Sequence, residues 1–262
     1  MSRLTVAVAL FLSIFLHACA GPMATCANSD NTTKVTGGKE CLLIRTFKSD
    51  GPLVAPTLVV FLHGDGSAGR PVDYHYAQAA ELARSGLRNV VAVGMIRPGY
   101  NDSNGNTSTG SNFGRRDNYT PDNVDSVAGA VATLKAFYGA RQVMLVGHSG
   151  GAAISAVILG RHPRLASAAV LVSCPCTLDA KRWPQSESPH QYIQHLPQNV
   201  RVAALVGSDD TVTSPYLSES YVAALKSRGI AADFVLIPGV EHYRALSSPR
   251  VIEIAIRLAK SD

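Results

Sequence analysis

A serine set between glycines, Gly147-His148-Ser149-Gly150-Gly151, sits at the seam between two opposite sequence patterns. Before it, Gln142-Val143-Met144-Leu145-Val146 is a short apolar run of the kind required by a strand buried on both faces. After it, Ala152 to Gly160 reads as a helix with small residues at its start. A G-x-S-x-G turn of this type lifts the serine oxygen clear of the sheet, and it is so tight that side chains at the flanking positions would clash. The helix that follows points its free N–H groups at the same spot, where negative charge develops during acyl transfer. The competing reading is a Gly-Ser turn without chemistry, and the strand–helix context weighs against it.

A serine hydroxyl is a poor nucleophile near neutral pH. It needs a base within hydrogen-bond reach and a carboxylate behind that base to fix its tautomer. The elements that would position such partners follow from periodicity. Candidate strands are Leu42–Phe47, Thr57–Leu62, Val90–Ile96, Val143–Val146, Ala168–Val172, Val202–Val206 and Phe234–Ile237. Candidate helices are Tyr74–Arg84, Pro121–Phe137, Ala152–Leu159, Pro215–Lys226 and Pro249–Leu258, with Thr120-Pro121 and Ser214-Pro215 as N-cap and first-turn signals. Val- and Leu-rich strands alternating with helices predict an α/β fold: a mostly parallel, twisted sheet covered by helices on both faces.

Ligands of such sheets bind at the carboxyl ends of the strands. The end of Thr57–Leu62 carries His63-Gly64-Asp65-Gly66, a turn able to present a backbone N–H. The next ends carry Ser149, then Gly207-Ser208-Asp209-Asp210-Thr211-Val212-Thr213, then Pro238-Gly239-Val240-Glu241-His242. Of the eight histidines, His242 is the candidate base, because it alone follows the last strand. His63 is expected to brace its loop, and His148 occupies the variable position of the serine turn. Asp209 and Asp210 are adjacent, so one of them can point at the histidine. Glu241 is the sequence neighbour of His242 and would point elsewhere.

On Phe61-Leu62-His63-Gly64-Asp65-Gly66, Arg97-Pro98-Gly99-Tyr100, the serine turn, Tyr221-Val222-Ala223-Ala224-Leu225 and Pro238-Gly239-Val240-Glu241-His242, residues 41–262 resemble a bacterial α/β-hydrolase of the dienelactone-hydrolase and prolyl-oligopeptidase-like group. The order serine, acid, histidine along the chain is that of α/β-hydrolases. The resemblance implies a serine hydrolase without a cofactor or metal, with Ser149, Asp210 and His242 as the catalytic residues. Asp210 is favoured because the group usually places the acid after a glycine and two residues, with a threonine three residues on, here Gly207 and Thr213. Asp209 is the alternative. The implied oxyanion donors are the backbone N–H groups of Gly150 and Asp65, with Gly64 as the alternative to Asp65. One departure stands out: the group usually has glycine or a neutral residue at Asp65, and a carboxylate pointing inward there would oppose an oxyanion.

Two further segments would shape the site. Residues 101–119 form a long polar, glycine-rich stretch of the kind that is usually functional or mobile. Arg115-Arg116 within it could meet an anionic group, although a solvated charge pair is the simpler reading. Residues 175–196 lie where α/β-hydrolases insert a cap but are too few for a cap domain. They predict an open cleft, with Trp183 and Tyr100 as candidate walls.

The N-terminus reads as a leader outside the fold. Arg3 precedes an apolar run of thirteen residues, Leu4 to Leu16, too short to span a bilayer and suited to a signal-peptide core over residues 1–20. Two cleavage readings stay open. Ala18-Cys19-Ala20 fits ordinary cleavage before Gly21, whereas Leu16-His17-Ala18-Cys19 resembles a lipobox, in which Cys19 would carry a lipid anchor, with His17 departing from the pattern. Residues 21–40 are expected to be a linker or loose lead-in. The remaining cysteines suggest the local pairs Cys26 with Cys41 and Cys174 with Cys176 in an oxidising compartment, with buried free thiols as the alternative.

The chain has 262 residues, 46% hydrophobic and 16% charged, which suits one sizeable domain. A net charge of +5 without any basic–aromatic cluster argues against a nucleic-acid partner. The expectation is an exported carboxylic-ester hydrolase working through an acyl-Ser149 intermediate on a small-molecule or short-peptide substrate. The rivals are a small serine peptidase and a non-catalytic binding protein on the same scaffold. Oligomeric state is not encoded in any of these signals.

Overall fold

The computed structural model describes residues 26, 29–66 and 70–260. The predicted leader and Cys19 lie outside the described residues. Among the described residues eight strands form one sheet: β1 (Lys34–Gly37), β2 (Glu40–Lys48), β3 (Thr57–Leu62), β4 (Val90–Met95), β5 (Gln142–His148), β6 (Ala168–Val172), β7 (Arg201–Gly207) and β8 (Ala231–Ile237). Their spatial order is β1-β2-β4-β3-β5-β6-β7-β8. Strands β1 and β2 run antiparallel to their neighbours, and from β4 onward every pairing is parallel.

The helices are α1 (His75–Arg84), α2 (Pro121–Phe137), α3 (Gly150–Arg161), α4 (Pro215–Ser227) and α5 (Pro249–Lys260). They divide between the two faces because the strand side chains alternate. In β3, Leu58, Val60 and Leu62 share a core with Val127 and Leu134 of α2, Ile154 and Val157 of α3, and Tyr221 and Leu225 of α4. Val59 and Phe61 point the other way, to Ala79 and Leu82 of α1 and Val251, Ile252 and Leu258 of α5. A strand sandwiched in this way has no solvent face, which is why β3 to β7 read as unbroken apolar runs. The helix starts have local causes as well. Asn123 N–H donates to Thr120 Oγ1 at 3.3 Å, and Pro121 opens α2 where an N–H would lack a partner.

One stretch departs from the sequence reading. Residues 34–37, expected within a loose lead-in, form β1 and pair with β2 from Lys34↔Leu43 to Gly37↔Glu40. The strand is four residues long at the sheet edge, and its burial pattern lacks a continuous apolar run, so periodicity carried no signal for it. Cys26 is bonded to Cys41, tying this edge to the segment before it, and Cys174 is bonded to Cys176 just beyond β6.

The core is packed tightly enough that one truncation should register. Leu145 on β5 is fully buried. Leu145→Ala is expected to lower the unfolding free energy by about 2–5 kcal/mol, read as a shift in the urea midpoint with an unchanged slope.

Candidate active site

Parallel register brings the ends of β3, β5, β7 and β8 to one edge of the sheet. At the end of β5, Ser149 adopts φ 51° and ψ −119°, a left-handed conformation that costs a non-glycine residue about 1–3 kcal/mol. Its N–H donates to Val172 O at 2.8 Å, which ties the turn to the neighbouring strand end. The glycines around it answer to close approach. A Cβ on Gly147 would strike the Gly151 carbonyl, and one on Gly151 would strike the carbonyls of Leu62 and His63. Ser149 itself is half-buried at the surface of the edge, and α3 begins at Gly150, whose N–H has no acceptor within the helix.

Of the two aspartates after β7, the structure brings Asp210 to the histidine. His242 Nδ1 lies 2.9 Å from Asp210 Oδ2 and 3.1 Å from Oδ1, and both side chains are buried. Asp210 Oδ1 also accepts from Val212 N–H at 3.0 Å and Thr213 N–H at 2.7 Å. Burial alone would raise this carboxyl's pKa. The bond to His242 and the Thr213 N–H outweigh that and hold it below the ordinary value. Asp209 is exposed and accepts from its neighbour Ser208, and Glu241 is exposed too. A carboxylate accepts, so Nδ1 of His242 is the donor, which in a neutral imidazole makes Nε2 the acceptor.

The residues behind the serine form a second layer of neutral imidazoles. Gly64 N–H donates to Tyr74 Oη at 2.7 Å, Tyr74 Oη–H donates to His148 Nδ1 at 2.7 Å, and His148 Nε2–H donates to His242 O at 3.0 Å. This chain fixes the backbone of His242 against the serine turn. It also consumes the N–H of Gly64, the residue given above as the alternative to Asp65. His63 braces its loop as expected: Nδ1–H donates to Gly64 O at 2.6 Å and Nε2 accepts from Arg97 N–H at 2.9 Å. Burial pulls His148 and His75 down to about 4, and burial together with Arg97 holds His63 well below the usual imidazole range.

The remaining expected residues fall in different places. Tyr100 is 1% exposed and points its hydroxyl at the Asp65 carboxylate, so it supports the turn from within and offers the cleft no surface. Trp183 is half-buried and stacks on Tyr119, centroids 5.4 Å apart and planes 13° apart. Arg115 bonds Arg70 O at 2.9 Å and lies 5.2 Å from the Tyr100 ring centroid. The segments 101–119 and 175–196 are stitched together, with Gln185 and Ser186 N–H donating to Asp117 and Glu187 N–H to Tyr119 O. Sequence reasoning missed Tyr74, Arg97, Asn118 and Tyr119. Arg97 lies in a quoted motif, but nothing in its spacing announces its partner 32 residues earlier.

The model of the alpha/beta hydrolase family matches residues 59–251, which include the ends of β3, β5, β7 and β8. The chain belongs to the alpha/beta hydrolase family. Among solved structures, the hydrolase is similar to esterase Est2 of Thermogutta terrifontis with propionate bound (TM-score 0.65, 16% identity, 87% of this chain and 93% of that one). It is similar too to Est1E of Butyrivibrio proteoclasticus with ferulic acid bound (TM-score 0.61, 14% identity, 87% and 96%). Acylaminoacyl peptidase of Pyrococcus horikoshii also superposes, at TM-score 0.64 and 13% identity; the match covers 86% of the hydrolase but 39% of the peptidase. At these identities the likeness is one of fold. No curated protein matches the hydrolase in sequence.

The neutral histidines set a pH dependence. Each has a folded pKa below its unfolded value of about 6.5, so below that pH the unfolded chain binds protons the folded one refuses. Stability is therefore complete above about pH 6.5 and falls on acidification by up to about 1.4 kcal/mol per pH unit for each group. Urea midpoints measured from about pH 8 to about pH 5 should fall steadily below pH 6.5. A flat profile would contradict the neutral assignments.

Proposed function

We propose that this α/β-hydrolase is an exported serine hydrolase that cleaves carboxylic esters through an acyl-Ser149 intermediate. The observation that carries the reading is the buried Asp210 carboxylate bridging both its oxygens to His242 Nδ1 at the same sheet edge as the strained Ser149. With Nδ1–H committed to Asp210, the Nε2 lone pair of His242 takes the proton of Ser149 Oγ as that oxygen attacks the ester carbon. The resulting oxyanion sits between the N–H groups of Gly150 and Asp65. Collapse expels the alkoxide, which leaves with the proton from His242. Water then repeats the sequence and releases the acid and free Ser149. The group that binds the proton is one side chain throughout, and the chemistry calls for no cofactor.

Export is supported by the leader pattern of residues 1–20 and by two disulfides in a chain of ordinary composition. None of the described helices is long and apolar enough to cross a membrane. The mass of the mature N-terminus distinguishes cleavage after Ala20 from lipidation at Cys19.

The ester reading is tested with a fluorophosphonate probe and a panel of p-nitrophenyl esters and aminoacyl anilides. The wild type should label and should turn over esters in preference to anilides, and Ser149→Ala should do neither. Preference for anilides would favour a peptidase, and an unlabelled, inactive wild type would favour a binding protein. Asp210→Asn should lower kcat by about 10⁴-fold through loss of the correct histidine tautomer, whereas Asp209→Asn should stay within a few-fold of wild type. The reverse ranking would overturn the choice of acid.

A further inference from the structure

Asp65 places a carboxylate where a hydrolase site gains nothing from bare negative charge. A Cβ built on Gly150 would strike Asp65 Oδ1 and stand 2.7 Å from Tyr119 Oη, so the carboxylate lies directly against the residue after the serine. Unopposed, it would repel an oxyanion held by Gly150 N–H. Four donors converge on it. Arg97 Nη2 and Tyr119 Oη each approach to 2.6 Å, on Oδ1 and Oδ2 respectively, and Tyr100 Oη and Asn118 Nδ2 each lie 3.3 Å from Oδ1.

Arg97 is 1% exposed, and its Nε and Nη1 have no hydrogen-bond partner among the described residues. Its guanidinium instead faces aromatic rings, 4.8 Å from the Tyr100 centroid and 5.9 Å from that of Tyr119. The ion pair is therefore neutral as a unit, and breaking it would leave a buried charge uncompensated. The four donors come from residues 97–100, which follow β4, and from the loop 101–119, and Tyr119 passes the connection on to Trp183 by stacking. Because the clamped carboxylate and the candidate oxyanion donor belong to the same residue, holding one restricts the directions open to the other.

We propose that the Asp65 side chain is a positioning group: clamped by Arg97 and Tyr119, it aims the Asp65 backbone N–H at the tetrahedral intermediate. The inference rests on the reading of Ser149 as nucleophile, with Asp65 and Gly150 N–H as oxyanion donors. A donor aimed in advance acts on the transition state more than on the bound ester, so its loss belongs in kcat.

The test compares Tyr119→Phe, Asp65→Asn and the double variant Asp65→Ala/Arg97→Met with wild type. The double variant avoids stranding the Arg97 charge, and Tyr119→Phe keeps the ring on Trp183. Each is measured for kcat and KM on a p-nitrophenyl ester, for inhibition by phenylboronic acid as a tetrahedral mimic on Ser149, and for thermal unfolding. Tyr119→Phe should lower kcat about tenfold and the double variant about 100-fold, with KM within threefold and boronate affinity falling in step with kcat. Asp65→Asn strands the Arg97 charge but keeps an acceptor toward it, so it should melt lower than the double variant yet retain more of kcat. Folded Tyr119→Phe and double variants with kcat within twofold of wild type would overturn the proposal. So would a loss that follows the melting temperature while boronate affinity holds. A wild type that neither hydrolyses esters nor takes up a fluorophosphonate overturns the hydrolase reading itself, and this inference with it.

Discussion

Everything at this site depends on how closely α3 crosses the ends of β3 and β5. The helix starts so near the sheet that Gly147 and Gly151 have no room for a Cβ, their neighbours being backbone carbonyls that cannot swing aside. Backbone against backbone is the stiffest contact a protein can make, and it forces Ser149 into a conformation its side chain disfavours. The strain is held by the surrounding sheet: Ser149 N–H bonds β6, and Leu58 to Leu62 of β3 and all of β6 are buried on either side. The half-buried hydroxyl at the sheet edge and a Gly150 N–H without an acceptor in its own helix are consequences of that one crossing.

Two aspartates near the serine turn are held for different ends. Asp210 accepts from His242 and from two backbone N–H groups, so its charge orients an imidazole. Asp65 is neutralised by a buried arginine and ties loops together. Beneath them His63 and His148 stay neutral because each has one nitrogen donating and the other accepting, an arrangement that protonation would break. The layer thus supplies shape and hydrogen bonds without adding positive charge that would compete for Asp210.

Much of this was legible in the chain. Strands β3 and β6 and helix α2 fall where periodicity places them, because buried strands and amphipathic helices write their environment into residue type. The serine turn and His242 were legible because glycine and histidine at those spacings have few other uses. What was not legible has a common cause. Strand β1 is a four-residue edge strand with Val35 as its one large apolar residue, too short for alternation to register. Arg97, Tyr119 and Asn118 reach Asp65 across 32, 54 and 53 residues, and nothing local to any of them encodes such a meeting.

The sequence by itself determined the alternation of strands and helices, the residues standing at the strand ends and their order along the chain, since these depend on local patterning and on turn chemistry. Only the tertiary structure decided which of two adjacent aspartates meets the histidine, that Gly64 spends its N–H on Tyr74, and that the Asp65 side chain is clamped by a buried arginine and a tyrosine. Those outcomes depend on the direction of a side chain within a tight turn and on which distant groups the sheet brings beside it. Direction and proximity are properties of the packed chain.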